Sequence, residues 1–148
     1  MISISSDAIK RIAEDLLTGM RVFIHKQTGE IIIVPNEKNL GFAEPEIWET
    51  ELNLLENYRF DYLEIDAMNS TQSFEVMEGF AENLVENKVL RVELLDALNC
   101  KKPFREFKYV IDNAGKYREQ WFSFRLDKTM DFVRKQIAYL HKLEGPEL

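Results

Sequence analysis

The chain reads as an α+β fold, with a small antiparallel three-stranded sheet packed by helices and an all-helical C-terminal half. Three observations lead there. Residues 20–25 and 30–34 are β-rich runs separated by Lys26-Gln27-Thr28-Gly29, a hairpin signature with glycine late in the turn. Residues 58–65 form a third aromatic and β-branched run. From Asn87 onward, apolar residues recur at three-four spacing, the period of a helix with one buried face.

The elements follow in order. Ile9, Ile12, Ala13 and Leu16 define a helix over 7–18, with Ser5, Ser6 and Asp7 as N-cap oxygens and Gly19 as its stop. In the hairpin, the run Ile31-Ile32-Ile33-Val34 is apolar on both faces, so each side of that strand needs a cover. Pro35 ends it, and residues 36–45 are a loop containing Asn39 and Gly41. Pro45 suits the first turn of a helix over about 45–57, with Trp48, Leu52 and Leu55 on one face. After the third strand, Ser70 or Thr71 caps a helix to about residue 86, with the stripe Phe74, Met77, Phe80, Ala81 and Leu84. Gly79 lies inside it at a cost of ~1 kcal/mol relative to alanine, which implies a close helix contact.

Leu90, Leu94, Leu95 and Leu98 mark the next helix. Pro103 opens another, with Phe104, Phe107, Val110 and Ile111 inward and Asn113-Ala114-Gly115 as its end. Residues 117–124 read as a short helical or turn segment. Asp127 caps a last helix with the stripe Met130, Val133, Ile137 and Leu140, and residues 143–148 read as a fraying tail. No repeat, low-complexity stretch or clear linker divides the 148 residues. They read as one domain, with the sheet in about 1–68 and the helical part in about 69–145.

Composition bounds the chemistry. With 45% hydrophobic and 30% charged residues the chain is globular. The single cysteine, Cys100, excludes an intrachain disulfide and a cysteine-based zinc site. It stands beside Lys101 and Lys102, but no resolving cysteine accompanies it, so it reads as a structural thiol. The longest apolar run is far too short for a bilayer, and the opening residues lack the basic-then-apolar pattern of a secretion signal. A reducing, cytoplasmic setting without membrane contact is the expectation. The six glycines are scattered and form no phosphate-binding loop.

The net charge of -7 argues against a general nucleic-acid binder, but charge is uneven. Residues 1–87 hold 6 basic and 17 acidic side chains, whereas residues 101–142 hold 11 basic and 5 acidic ones. Such asymmetry serves either self-pairing, in a homodimer or within the chain, or an anionic partner.

Two stretches carry a resemblance. Cys100-Lys101-Lys102-Pro103-Phe104-Arg105-Glu106-Phe107-Lys108 is a basic turn running into Phe-Arg-x-Phe-Lys. Glu119-Gln120-Trp121-Phe122-Ser123-Phe124-Arg125 follows after a short gap. Together they resemble the bacterial uncharacterised protein family 0158. The family usually has a Gly-Arg-Gly type turn where this chain has Cys100-Lys101-Lys102-Pro103. It often has Asp directly after the final arginine, where Leu126 stands here. The resemblance implies a fold and supplies no mechanism.

The same stretches interleave cations with aromatics, as surfaces for single-stranded nucleic acid do. Helical spacing also suits rings that fill a core with cations at its rim. Lys101, Lys102, Arg105, Lys108, Trp121 and Arg125 are therefore the candidate anion- or partner-binding residues. Asp61, Glu64 and Asp66 at the third strand could hold magnesium in a small metal-dependent hydrolase or nuclease, although a solvated sheet edge explains them more simply. His25 reads as a turn residue. No residues are assigned to catalysis, to a metal or to a cofactor. The favoured expectation is a non-catalytic binding domain that meets a protein or anionic polymer through its basic C-terminal helices. Nucleic acid is the less favoured partner. The hydrolase and a self-associating structural protein stand as alternatives.

Overall fold

The computed structural model describes residues 3–36 and 45–143. The expected loop positions Asn39 and Gly41, and the tail after residue 143, lie outside them. The described elements are helices α1 (Ser6–Leu17), α2 (Glu49–Asn57), α3 (Ser70–Glu82), α4 (Lys88–Leu98), α5 (Pro103–Asp112) and α6 (Lys116–Leu143), with strands β1 (Met20–His25), β2 (Ile31–Pro35) and β3 (Tyr62–Ile65). The three strands form one antiparallel sheet in the order β2-β1-β3, and the fold is α+β with a helical C-terminal half. The chain divides into two compact units. One comprises the residues up to Ala67 and those from Met130 onward, and the other runs from Met68 to Thr129.

In the first unit, strand alternation sends neighbouring residues of β1 to opposite faces of the sheet. Val22, Ile24 and Ile65 pack with Ile9, Ile12 and Leu16 of α1 and with Val133, Ile137 and Leu140 of α6. Phe23, Ile32, Val34 and Tyr62 pack with Leu55 of α2, edged by Trp48 and Leu52. The all-apolar β2 thus finds a cover on both sides. Ser5 caps α1 by accepting from the Ala8 N–H at 3.1 Å, and Gly19 takes φ 85° at the turn into β1. The Gln136 side chain accepts from the Asp66 N–H at 2.8 Å and donates to the Asp66 carbonyl at 2.9 Å, which ties α6 to the chain just after β3.

Several boundaries differ from the sequence reading. Residues 59–61 form a 3-10 turn, and β3 begins only at Tyr62. Pro45–Trp48 is likewise a 3-10 turn ahead of α2. Asn69, rather than Ser70 or Thr71, caps α3. Its side chain accepts from the Gln72 N–H at 2.8 Å, and its own N–H donates to the Gln72 side chain at 2.9 Å, a reciprocal capping box. That helix stops at Glu82, and Asn87 starts α4 by accepting from the Leu90 N–H.

The second unit is built around Met77, Phe80, Ala81 and Leu84 of α3, Leu90, Leu94 and Leu98 of α4, Phe107 and Ile111 of α5, and Trp121 of α6. The largest revision concerns α6. It is one uninterrupted helix of 28 residues, so the segment 117–124 is its beginning and Asp127 lies within it rather than capping it. No glycine or proline occurs between residues 116 and 143 to break it. Its buried line passes through Thr129, which is 3% exposed and donates its hydroxyl to the Arg125 carbonyl at 2.8 Å. A polar residue satisfied by the preceding turn hides the stripe's continuity from a hydropathy reading.

Gly79 does not answer to a close approach. A Cβ placed there would meet only the tip of the Phe124 ring, at 3.9 Å, an ordinary contact. Gly79→Ala is therefore expected to raise stability by about 0.5–1 kcal/mol through the lower entropy of the unfolded chain. Urea denaturation measures this, and a lower midpoint would show a packing demand at this position. Phe107→Ala is expected to cost about 3–5 kcal/mol by opening a cavity beside Trp121, read in the same titration.

Candidate functional site

The predicted cations fall into two groups. Lys101 and Lys102 are exposed in the bend before α5, where Pro103 occupies the first helical turn. Along α5, Phe107 and Ile111 turn inward, while Phe104, Arg105, Lys108 and Tyr109 line the solvent side. Phe104, expected in the core, is 42% exposed, and Tyr109 is 70% exposed. Residues 104 and 108, like 105 and 109, are one helical turn apart. The result is a face of two rings and two cations led by two lysines.

Neighbouring carboxylates partly balance that face. Arg105 meets Glu106 at 3.1 Å. Lys108 Nζ meets one oxygen of Asp112 at 3.0 Å, and Arg118 Nε meets the other at 3.1 Å. The hydrogen bond from Lys108, then that from Arg118, holds the Asp112 carboxyl below its ordinary range.

Trp121 and Arg125 go elsewhere. Trp121 is 6% exposed and packs edge-on against Phe107 at 4.9 Å and Phe80 at 5.4 Å. It fills the core of the second unit. Arg125 is half-buried over Phe122 at 5.3 Å and Trp121 at 5.7 Å, and Arg118 takes another place over Phe122 at 4.6 Å. The Arg125 Nε is buried and has no hydrogen-bond partner among the described residues. Burial pushes its guanidinium pKa down. This arginine lies on aromatic core residues rather than on the open face of α5.

A second cluster, of which sequence singles out Glu64 but not the arginines, lies on the α2 side of the sheet. Arg21, Phe23 and Glu64 share one face, because Phe23 is the register partner of Glu64. Arg21 donates from Nε and Nη2 to the two oxygens of Glu64, each at 2.9 Å, a bidentate fork. Arg59, from the 3-10 turn before β3, approaches the same carboxylate at 3.6 Å and donates from Nη1 to the Tyr62 carbonyl at 3.1 Å. Both guanidinium carbons lie near the Phe23 ring, at 5.0 and 5.1 Å from its centre. Beside them opens a pocket of about 300 Å³, walled by Phe23, Val34, Pro35, Leu52 and Leu55, with Arg21, Arg59 and Glu56 around it.

The sequence signals for this cluster are separate ones: the alternation Arg21-x-Phe23, the carboxylate of Glu64, and the apolar face with Leu52 and Leu55. Its partners arrive through pairing across about forty residues of chain, which hydropathy cannot show. Of the three carboxylates weighed as metal ligands, Glu64 lies in this cluster, Asp66 has its backbone held by Gln136, and Asp61 sits in the 3-10 turn. Among the described residues no group of three or more potential ligands converges as a metal site. The His25 Nδ1 accepts from the N–H groups of Gln27 and Thr28, each at 3.1 Å, and stabilises the hairpin turn. Cys100 is exposed, its thiol directed at the Asp96 carbonyl at 3.5 Å. Among the described residues, no helix is long and apolar enough to cross a membrane.

The cluster has a pH signature. The hydrogen bond from Arg21 lowers the Glu64 pKa below its ordinary 4.5, opposed by partial burial and helped by the charges of Arg21 and Arg59. A carboxylate with a depressed folded-state pKa stabilises the fold above its unfolded pKa. That stability is lost as pH falls through the folded value. The protein is therefore expected to lose stability more steeply below pH 4.5 than a Glu64→Gln variant. Urea midpoints taken at stepped acidic pH test this, and parallel acid limbs would contradict it.

Comparison with known proteins gives one match. No curated protein and no solved structure matches the chain. A family model does match residues 7–142, nearly the whole chain and including both basic-aromatic stretches. The protein belongs to the Uncharacterised protein family (UPF0158).

Proposed function

We propose that the protein is a non-catalytic binding domain of the bacterial cytoplasm that docks an acidic protein surface on the exposed face of α5. One observation carries the reading. Phe104, Arg105, Lys108 and Tyr109 stand together in solvent on one side of α5, with Lys101 and Lys102 at its entrance. Aromatic rings and arginine supply most of the energy at protein interfaces, and surrounding lysines speed encounter with an acidic partner.

A protein partner is favoured over nucleic acid on two grounds. Stacking surfaces for single strands need several accessible rings, and Trp121, Phe80 and Phe107 are spent in the core. The net charge of -7 also repels a long polyanion from the rest of the molecule.

Fluorescence anisotropy with three labelled probes tests the proposal: an acidic peptide containing aromatic residues, its glutamine-for-glutamate counterpart, and an oligothymidine. The acidic peptide is expected to bind best, and to weaken as salt rises from about 50 to 200 mM. The triple charge reversal Lys101→Glu, Lys102→Glu, Lys108→Glu is expected to weaken it about tenfold or more, and Phe104→Ser with Tyr109→Ser comparably. Tighter binding of the oligothymidine would make nucleic acid the partner. Equal binding of the glutamine peptide would overturn the electrostatic reading. A salt-sensitive dimer on size measurement, abolished by the same triple reversal, would give the face to a second copy of the chain.

A further inference from the structure

We propose that the pocket between α2 and the sheet binds a small amphiphilic carboxylate, with its apolar body against Val34, Leu52 and Leu55 and its carboxylate on Arg59. The site is independent of the α5 face.

The volume of about 300 Å³ sits at the lower end for small-molecule pockets. The walls are apolar, with Phe23, Val34 and Leu55 themselves buried. Such walls favour a ring or a branched chain over a sugar.

The charge pattern selects the head group. Glu64 receives two short hydrogen bonds from Arg21, so Arg59 has only the longer 3.6 Å approach to that carboxylate. Arg59 donates one hydrogen bond, from Nη1 to the Tyr62 carbonyl. Its Nη2 makes the 3.6 Å approach to Glu64, and its Nε donates to none of the described residues. A planar carboxylate matches a guanidinium edge that presents two donors. Phe23 on one side and the Tyr62 carbonyl on the other fix the orientation of that edge. The Arg59 side chain is 47% exposed, so a ligand reaches it from solvent.

A phosphate dianion is a poorer fit. It would lie beside Glu64 and near Glu56, and a second negative charge adds repulsion without a second open fork. A cationic amine would find Glu56 and Glu64, but also both guanidinium groups.

Phenylacetate serves as the probe, followed through the methyl signals of Val34, Leu52 and Leu55. Phenylacetamide, phenethylamine and inorganic phosphate are the comparison arms. Saturable shifts with phenylacetate are expected, with the amide and the amine about tenfold weaker or worse. Arg59→Gln is expected to reduce the affinity by a similar factor, and Arg59→Lys by less. Because Arg59 also packs on Phe23, Leu52→Phe provides a second variant. It fills the pocket without removing a charge and is expected to abolish the shifts while the amide spectrum stays folded. No saturable shift, equal affinity for the amide, preference for the amine or the phosphate, or retained binding in Leu52→Phe would each overturn the proposal.

Discussion

The sheet-bearing unit depends on burying strand β1 from both sides at once. A central strand with Val22 and Ile24 on one face and Phe23 on the other requires two separate covers. Helices α1 and α6 supply one, and α2 supplies the other. Each large side chain so buried contributes roughly 1.5–3 kcal/mol. A one-residue slip in the pairing of β1 with β3 would exchange the faces, placing Glu64 among the apolar residues of α1 and α6. Register is therefore enforced by the core, and the Arg21–Glu64 fork forms only in that register. The charged cluster beside Phe23 is a consequence of how the hydrophobic residues pair.

Burial on both faces was legible in the sequence because β2 is uniformly apolar and the β1 and β2 runs flank a clear turn. The hairpin, the three-stranded sheet, α1, α4 and α5 all follow from local pattern. The departures from local pattern have two causes. Tyr58, Arg59 and Phe60 have strand-like composition, yet the chain turns there, leaving Phe60 91% exposed and placing Arg59 beside the sheet. Side-chain preference alone does not separate a strand from a short 3-10 turn that leads into one. The division within α6 was a different failure. Arg125 and Thr129 interrupt the apolar stripe in composition but not in space, since Arg125 lies on rings and Thr129 bonds to the preceding turn.

The basic-aromatic stretches show the same limit at the level of sites. Helical spacing places Phe104 and Phe107 on neighbouring positions of one arc, and a sequence reading sends both inward. Only Phe107 finds a socket, against Trp121. Phe104 is left on the rim with Arg105, Lys108 and Tyr109. Which ring is anchor and which is surface depends on where α3, α4 and α6 offer space, and that is a tertiary property. Residue type identifies the cations, but their division into exposed and core-edge groups depends on tertiary packing.

Among the described residues four arginines rest on aromatic rings, and their other contacts set them apart. Arg118 is paired with Asp112, which it shares with Lys108, and with Glu119, and it supplements those ion pairs with Phe122. Arg21 is committed to Glu64 by two hydrogen bonds. Arg125 has a nitrogen without a partner among the described residues, but that nitrogen is sealed from solvent, so it represents a desolvation cost and no ligand can reach it. Arg59 combines an oriented guanidinium, an Nε donor not used by the described residues, and a half-exposed position beside an apolar pocket. A cation over a ring is common and by itself says little. Recognition requires hydrogen-bonding capacity left over at a place that a partner can enter. On that criterion the anion binding proposed for the Arg59 pocket and for the face of α5 draws on cations reachable from solvent.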